Sequence, residues 1–151
     1  MNSEILDLLD SYPDTAFSCG DAALTEFSML LEASGPGKIV FFTGRNSAEK
    51  SGALTRILSE LSPFDIESAR FSGIEEEPCT DTIYKMLDFL KQEKPDYVAA
   101  IGGGSIMDAA KAAYLLYQAG GTLDDYFGMN KFSTRFPDKK LRKVFCFPTT
   151  S

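Results

Sequence analysis

The sequence of 151 residues contains no histidine. Without an imidazole, the chain has no histidine metal ligand and no histidine general base, and zinc and iron centres normally use such ligands. Its three cysteines, Cys19, Cys79 and Cys146, lie far apart and lack a metal-binding spacing. We interpret them as reduced thiols of a cytoplasmic protein, and Cys146, within an apolar run, as a buried core residue. These residues cannot supply all of the chemistry of a metal-dependent enzyme.

An excess of positive charge and long apolar segments are also lacking. The formal net charge is −7, which disfavours general binding to nucleic acid or anionic membranes, because phosphate groups are held chiefly by Lys and Arg. No apolar run reaches the length of a transmembrane helix, and the acidic first ten residues do not resemble a signal peptide. The length and the 44% hydrophobic content indicate one domain with a substantial core. We therefore expect neither a nucleic-acid nor a membrane partner.

Short apolar runs alternate with longer amphipathic segments along the chain. The pattern predicts strands at 38–43, 66–71, 97–101 and 144–147, and helices at about 21–33, 46–61, 80–92 and 105–119. The polar segment 130–143, which contains Pro137, is predicted to be a surface loop. Such alternation is typical of right-handed β-α-β crossovers. The predicted fold class is a single α/β domain, with a doubly wound, mainly parallel sheet and helices on both faces.

The most distinctive motif is a run of three glycines between the third predicted strand and the helix after it. Gly102, Gly103 and Gly104 precede Ser105, where we expect this helix to begin. Glycines lack a Cβ atom and tolerate positive φ, so backbone N–H groups can approach an anion closely. A helix N-terminus adds unpaired donors and a positive dipole end. Because ligands of open α/β sheets bind at the carboxyl ends of strands, the motif predicts a pyrophosphate-binding turn.

The same residues have other interpretations. Ser105 and Asp108 have the spacing of a capping box, and Lys111 can be a solvated surface charge. Glycine-rich turns also occur where a helix and a strand simply pack closely. The turn matches neither the G-x-G-x-x-G fingerprint nor the Walker A motif. Three glycines nevertheless exceed what a helix cap requires, which favours phosphate binding.

Segment 102–111 (GGGSIMDAAK) closely resembles the nucleotide-binding signature of iron-containing (group III) alcohol dehydrogenases, which belong to the dehydroquinate synthase-like superfamily. Residues 148–151 (PTTS) resemble the start of that family's proline-threonine-threonine-(small)-glycine-threonine loop. Phe17-x-x-Gly20, and the first strand followed by Ser51-Gly52, fit the family's opening. The resemblance covers essentially the whole chain but only the first of the family's two domains. It implies that residues 1–151 are the NAD(P)-binding domain of a two-domain dehydrogenase, without its helical metal-binding domain.

The resemblance also assigns contacts to the cofactor. The glycine turn would hold the pyrophosphate, and the position of Asp108 would lie near the nicotinamide, although this residue can equally be a helix N-terminal carboxylate. Two threonines at the end of the sequence would contact the cofactor through hydroxyl and backbone groups. The residues of these two segments implied to bind the cofactor are Gly102, Gly103, Gly104, Ser105, Asp108, Thr149 and Thr150.

The end of the first strand bears on the choice of cofactor. Family members that prefer NAD commonly carry an aspartate there, which accepts hydrogen bonds from the adenosine ribose. This chain has Gly44, followed by Arg45 and Asn46. Without the carboxylate a 2′-phosphate is not repelled, and Arg45 can donate a charge-assisted hydrogen bond to it. We predict a preference for NADP(H) over NAD(H); the alternative is that Gly44 merely ends the strand and Arg45 faces solvent.

The implied activity is reversible hydride transfer between NAD(P)(H) and an alcohol or aldehyde, in an intact protein that holds iron or zinc. The 151 residues alone are expected to bind nucleotide weakly and not to turn over, and the intact protein is a candidate homodimer. Two alternatives are a domain of a zinc-dependent glycerol or glycerol-phosphate dehydrogenase and a stand-alone nucleotide-binding module. A pure interaction module would need no triple-glycine turn. The end of the chain within a ligand loop favours a piece of a longer enzyme.

Overall fold

The computed structural model describes residues 15–20, 22–45 and 47–149. The chain divides into two compact units, Met1–Gly35 and Pro36–Ser151. Helix α1 (Ala23–Ser34) belongs to the first unit and confirms the helix predicted at about 21–33. It ends at Gly35, whose N–H donates to the Glu32 carbonyl at 3.0 Å. The second unit contains every candidate site residue.

The second unit is built on one four-stranded parallel sheet with the strand order β2-β1-β3-β4. Its strands are β1 (Gly37–Gly44), β2 (Ile66–Ile74), β3 (Tyr97–Gly102) and β4 (Val144–Pro148). These confirm the four predicted strands, each extended by one to three residues. The two central strands, β1 and β3, are almost continuously buried, which explains their unbroken runs of apolar residues.

The strand order creates a switch point between β1 and β3. From β1 the chain crosses to β2 on one side, and then returns to place β3 on the other side. Crossovers that leave neighbouring strands in opposite directions open a crevice at the carboxyl ends of those strands. Thr43 is aligned with Ile101, so β1 and β3 end next to each other at Gly44 and Gly102. The topology alone therefore marks this edge for ligand binding.

Helices α4 (Thr80–Glu93) and α5 (Gly104–Ala119) cover one face of the sheet. Their buried side chains form one apolar cluster with those of the central strands. The core of this cluster consists of Val40, Phe42, Met86, Leu90, Val98, Ala100, Ala109, Ala110, Ala113 and Tyr114. Small alanine side chains let the axis of α5 approach the sheet closely. This packing fixes the position of the first turn of α5 relative to the strand ends.

The helix predicted over 46–61 is interrupted in the structure. It consists of α2 (Ser47–Lys50) and α3 (Ala53–Leu61), separated at Gly52, which has a φ of +68°. Glycine adopts this left-handed conformation without the steric cost that a Cβ adds. Ala48 of α2 is fully buried, and α2 contacts both central strands. The break keeps α2 as a separate short element beside the end of β1.

The predicted surface loop at 130–143 is wrong over its first part. Residues Lys131–Arg135 form a short helix, α6. The ring of Phe132 lies 6.2 Å from that of Tyr126 and 5.4 Å from that of Phe136, centroid to centroid. This local aromatic contact, at a spacing of four residues within the segment, stabilises a helical turn where polar composition predicts none.

Two expectations from composition can be compared with the structure. The prediction that Cys146 is a buried core residue is wrong, because its side chain is exposed. It lies on β4, an edge strand whose residues are at most partly covered. The second expectation concerned membrane spans. Within the described part of the chain, no helix combines the length and the apolar character needed to cross a bilayer.

Gln118 of α5 holds the segment that leads into β4. Its Oε1 accepts a hydrogen bond from the Arg142 N–H at 2.6 Å, and its Nε2 donates to the Arg142 carbonyl at 3.1 Å. Replacing Gln118 by alanine removes both bonds, and we expect the free energy of unfolding to fall by about 1–2 kcal/mol. Urea denaturation of this variant measures the change. Gln92→Ala, at an exposed glutamine of α4, is the control, and an equal loss in both variants would contradict the role of this pair.

Candidate functional site

Three strand ends lie side by side at the carboxyl edge of the sheet. β1 and β3 are aligned up to Thr43 and Ile101, and β3 and β4 up to Gly102 and Pro148. The next residue, Thr149, donates its N–H to the Gly102 carbonyl at 3.2 Å. The structure therefore brings three of the predicted cofactor-binding segments to one edge, although they are far apart in the sequence.

Helix α5 begins in the glycine turn itself. Gly103 is its N-cap residue, and the Gly103 carbonyl accepts hydrogen bonds from the N–H groups of Ile106 and Met107 at 3.1 and 3.2 Å. The N–H groups at a helix start have no acceptor within the helix and lie at its positive dipole end. Gly104 and Ser105, the first two helical residues, are exposed. The turn thus presents backbone donors to a ligand at the strand ends.

The protein's own structure requires glycine at only some positions of this turn. A Cβ on Gly102 would lie 2.4 Å from Cδ1 of the buried Ile106, so close packing within the protein favours glycine there. A Cβ on Gly104 would meet no atom within 4 Å. Gly103 has φ −80° and ψ 178°, an extended conformation that other residues adopt readily. The protein's own packing explains Gly102, but it leaves the space in front of Gly104 unused.

Thr149 contributes an unsatisfied hydroxyl beside the turn. Its Oγ1 is enclosed, and within the described residues it has no hydrogen-bond partner. A buried hydroxyl without a partner is uncommon, since losing its water contacts costs free energy. The enclosed hydroxyl and the open space at Gly104 together fit a polar ligand such as a phosphate-containing cofactor. Thr150, the other predicted threonine, lies outside the described residues.

The capping-box interpretation of Ser105 and Asp108 is wrong. Helix α5 begins at Gly104, one residue earlier than predicted, and no side chain caps it. Asp108 instead forms an exposed ion pair with Lys111, at 3.0 Å. Because it follows Gly104 by four residues, Asp108 lies one turn further along the same side of the helix. The prediction that Lys111 is a surface charge is confirmed, and the structure adds its pairing with Asp108.

β1 ends at Gly44, and an ion pair lies beside this end of the strand. Gly44 is buried at the end of the strand and Arg45 is exposed, whereas Asn46 lies outside the described residues. Arg70 of β2 donates from Nε to the Thr43 hydroxyl oxygen at 3.1 Å, and its guanidinium also binds the Glu49 carboxylate of α2. Chiefly through this hydrogen bond, Arg70 holds the pKa of Glu49 below its usual value.

Arg70 and Glu49 were missed at the level of sequence. The arginine within the second predicted strand is visible in the sequence, but its contact with Glu49 depends on strand register, which the sequence does not show. The described residues also offer no site for a metal ion. Among the described residues, no group of three or more His, Cys, Asp or Glu side chains is arranged to hold a metal ion.

Comparison with known proteins agrees with this geometry. The model of the family described as "Iron-containing alcohol dehydrogenase" matches residues 14–151. The chain belongs to the iron-containing alcohol dehydrogenase family. The parallel α/β sheet is therefore a fold shared with solved structures of this family.

Relatives within the iron-containing alcohol dehydrogenase family differ in their cofactors. The chain is 33% identical over 81 residues to the NADPH-dependent butanol dehydrogenase of Clostridium saccharobutylicum, covering 54% of this chain and 21% of that protein. It is 29% identical over 132 residues to the NAD-dependent methanol dehydrogenase of Bacillus methanolicus, covering 87% of this chain and 33% of that protein. Family membership therefore leaves the choice between NAD and NADP open.

A solved structure supports the same fold. The crystal structure of the NADH-dependent butanol dehydrogenase A of Thermotoga maritima superposes with a TM-score of 0.73 at 24% identity, covering 91% of this chain and 35% of that chain. The chain spans about a third or less of the length of these iron-containing alcohol dehydrogenase relatives.

Proposed function

We propose that this chain forms the nucleotide-binding part of a dehydrogenase that transfers hydride between NADP(H) and an alcohol or aldehyde. The observation that carries the proposal is Gly104, where the structure leaves an open space directly beside the first N–H groups of α5. A glycine that neither packing nor backbone conformation requires is expected where a ligand approaches the backbone. The pyrophosphate of a dinucleotide supplies the negative charge that a helix N-terminus binds.

In the proposed binding mode, the turn Gly102–Ser105 holds the pyrophosphate at the switch point of the sheet. Thr149 donates its enclosed hydroxyl to the cofactor, and Thr150 extends the same contact. Asp108, one helical turn beyond Gly104, lies on the side proposed to face the nicotinamide. Its carboxylate then orients the ring or the substrate, at the cost of its exposed ion pair with Lys111.

The preference for NADP(H) is proposed from the end of β1. Gly44 offers no carboxylate to the adenosine ribose, and the exposed Arg45 follows it directly. A guanidinium binds a phosphate through charge-assisted, often bidentate, hydrogen bonds. Asn46 is proposed as a further polar contact. The NADPH dependence of the butanol dehydrogenase from Clostridium saccharobutylicum is consistent with this choice.

The bound nicotinamide supplies hydride chemistry, while the residues of this chain bind and orient it. The chain has no histidine, and its described residues form no metal-ligand group. These residues therefore do not fit an iron or zinc centre, and we assign no step to a metal here. We propose that the 151 residues alone bind nucleotide in the cytoplasm without turning over an alcohol.

Titration of the purified chain with NADPH and NADH, followed by nucleotide fluorescence and by the melting temperature, tests the proposal. We expect NADPH to bind about tenfold more tightly than NADH, because Arg45 contacts only the former. Saturation at 100 times the dissociation constant stabilises the fold by about 2.7 kcal/mol. If neither nucleotide binds, the proposed nucleotide site is wrong. If NADH binds more tightly than NADPH, the proposed preference for NADP(H) is wrong. Alcohol oxidation by these 151 residues would contradict the proposal that they are inactive alone.

A further inference from the structure

Arg70 connects three elements at the end of β1. It lies on the edge strand β2, aligned with Phe41, and its side chain extends towards the carboxyl edge. Its Nε donates to the hydroxyl oxygen of Thr43, which is fully buried, and its terminal nitrogen binds Glu49 of α2. The side chain of Arg70 is 32% exposed and that of Glu49 is 49% exposed, so solvent partly screens the ion pair. One guanidinium therefore holds both the last part of β1 and the helix that follows Arg45.

The sheet is irregular at the same place. Phe42 is aligned with Phe71, but Gly44 is aligned with Ile74, so β2 contains one extra residue opposite the end of β1. Gly73, within this bulge, has a φ of +88°. Bulges locally turn a strand and occur often beside ligand sites. The pairing with β1 resumes at Ile74, opposite Gly44, and the Arg70–Glu49 ion pair links β2 to α2 beside this irregularity.

Glu49 is the acidic residue of α2, the helix that follows the proposed 2′-phosphate site in the sequence. It lies two residues after the start of this helix. A free carboxylate there would repel a phosphate carrying nearly two negative charges, and it would accept hydrogen bonds from an unphosphorylated ribose. While it is bound to Arg70, its charge is partly compensated and one of its two carboxylate oxygens, Oε1, is occupied.

Resting on the proposed nucleotide site, we propose that Arg70 is a positioning and specificity residue that, by holding Glu49, keeps the ribose site open to a 2′-phosphate. Arg70 itself need not touch the cofactor. It acts through Glu49, by neutralising that carboxylate. Cofactor preference is thus set by an arginine on the neighbouring strand as well as by the residues at the end of β1.

The test compares the dissociation constants of NADPH and NADH for single and double variants. Arg70→Met releases Glu49, and we expect the preference for NADPH over NADH to fall about tenfold relative to the unmodified chain. Glu49→Gln removes the carboxylate and is expected to keep or raise the preference. In Arg70→Met/Glu49→Gln the preference should return to within about threefold of the original value, since no free carboxylate remains. A merely structural role for Arg70 predicts no such rescue.

Two further measurements keep the inference falsifiable. Arg70→Lys keeps the positive charge but cannot contact Thr43 and Glu49 in the same way, so its preference should lie between those of the unmodified chain and Arg70→Met. If Arg70→Met does not fold, judged by circular dichroism, an unchanged preference in Arg70→Lys overturns the inference. The inference is also overturned if a folded Arg70→Met variant has an unchanged preference for NADPH over NADH. It is overturned as well if the preference of the double variant is as low as that of Arg70→Met. Binding of neither nucleotide by the unmodified chain overturns the proposed function instead, and this inference with it.

Discussion

Replacing Gly104 by valine is expected to weaken NADPH binding at least about 100-fold while the protein stays folded. Apart from its chain neighbours and the backbone of α5, no atom lies within 4 Å of a Cβ placed on Gly104, so a side chain can begin there without a clash. Valine at the first helical position should shift the free energy of unfolding by no more than about 1 kcal/mol. Its isopropyl group fills the space in which the pyrophosphate is proposed to lie, and it screens the first N–H groups of α5. Nucleotide fluorescence and urea denaturation measure the two quantities separately.

Thr80→Val is the matched control, because Thr80 is the exposed first residue of α4 and has no proposed role in binding. Gly102→Ala is the instructive comparison, since its Cβ would displace the buried Ile106 and lower stability as well as binding. Undiminished NADPH binding by a folded Gly104→Val variant would contradict the pyrophosphate site. If Gly104→Val and Gly102→Ala both lose stability but still bind NADPH, the glycines of this turn serve packing and not phosphate binding.

The second large effect is expected from Arg45→Gln. Hydrogen bonds from a charged donor to a phosphate contribute about 1.5–3 kcal/mol, so the affinity for NADPH should fall by about 10- to 100-fold. The affinity for NADH should change by no more than about twofold, because NADH lacks the 2′-phosphate. Arg45 is exposed at the end of β1, and its replacement removes no described packing contact. Paired titrations with the two nucleotides give the ratio directly.

Arg56→Gln is the control for a general change in charge, because Arg56 is an exposed arginine of α3. Like Arg45→Gln, it makes the net charge one unit more negative, but at a position outside the proposed site. Both nucleotides should then bind as they do to the unmodified chain. Equal losses for NADPH and NADH in Arg45→Gln would indicate contact with the pyrophosphate rather than with the 2′-phosphate, and the basis for cofactor choice would have to be sought elsewhere.

The strands could be predicted from the sequence because their signal is local. An unbroken apolar run such as Ile39–Phe42 is explained by burial on both faces of a central strand, and both properties belong to the same residues. The break at Gly52 was missed because the apolar spacing that indicated the helix, Leu54 to Leu61, lies entirely after it. The left-handed φ of one glycine, which interrupts the helix, leaves no pattern in the sequence. The helix α6 was missed because three aromatic side chains stabilise it in a segment of polar composition.

The candidate site could be predicted only in part, for a similar reason. The glycine turn is contiguous and was visible as a motif, but the difference between Gly102 and Gly104 depends on where Ile106 packs. The hydrogen bond between Thr149 and Gly102, and the ion pair between Arg70 and Glu49, join residues from separate elements. Neither contact leaves a spacing in the sequence, because strand register and side-chain direction determine both.

The hydrogen bond from Thr149 to Gly102 has a kinetic consequence. It forms only after β4 has paired with β3, and β3 in turn lies beside β1, so the edge that carries the site is completed by pairings between distant segments. Such non-local pairings close large loops and are slow steps of folding. We therefore expect nucleotide binding to report on completion of the sheet rather than on collapse. Added NADPH should mainly slow unfolding, because a ligand that binds only the completed edge stabilises the native state.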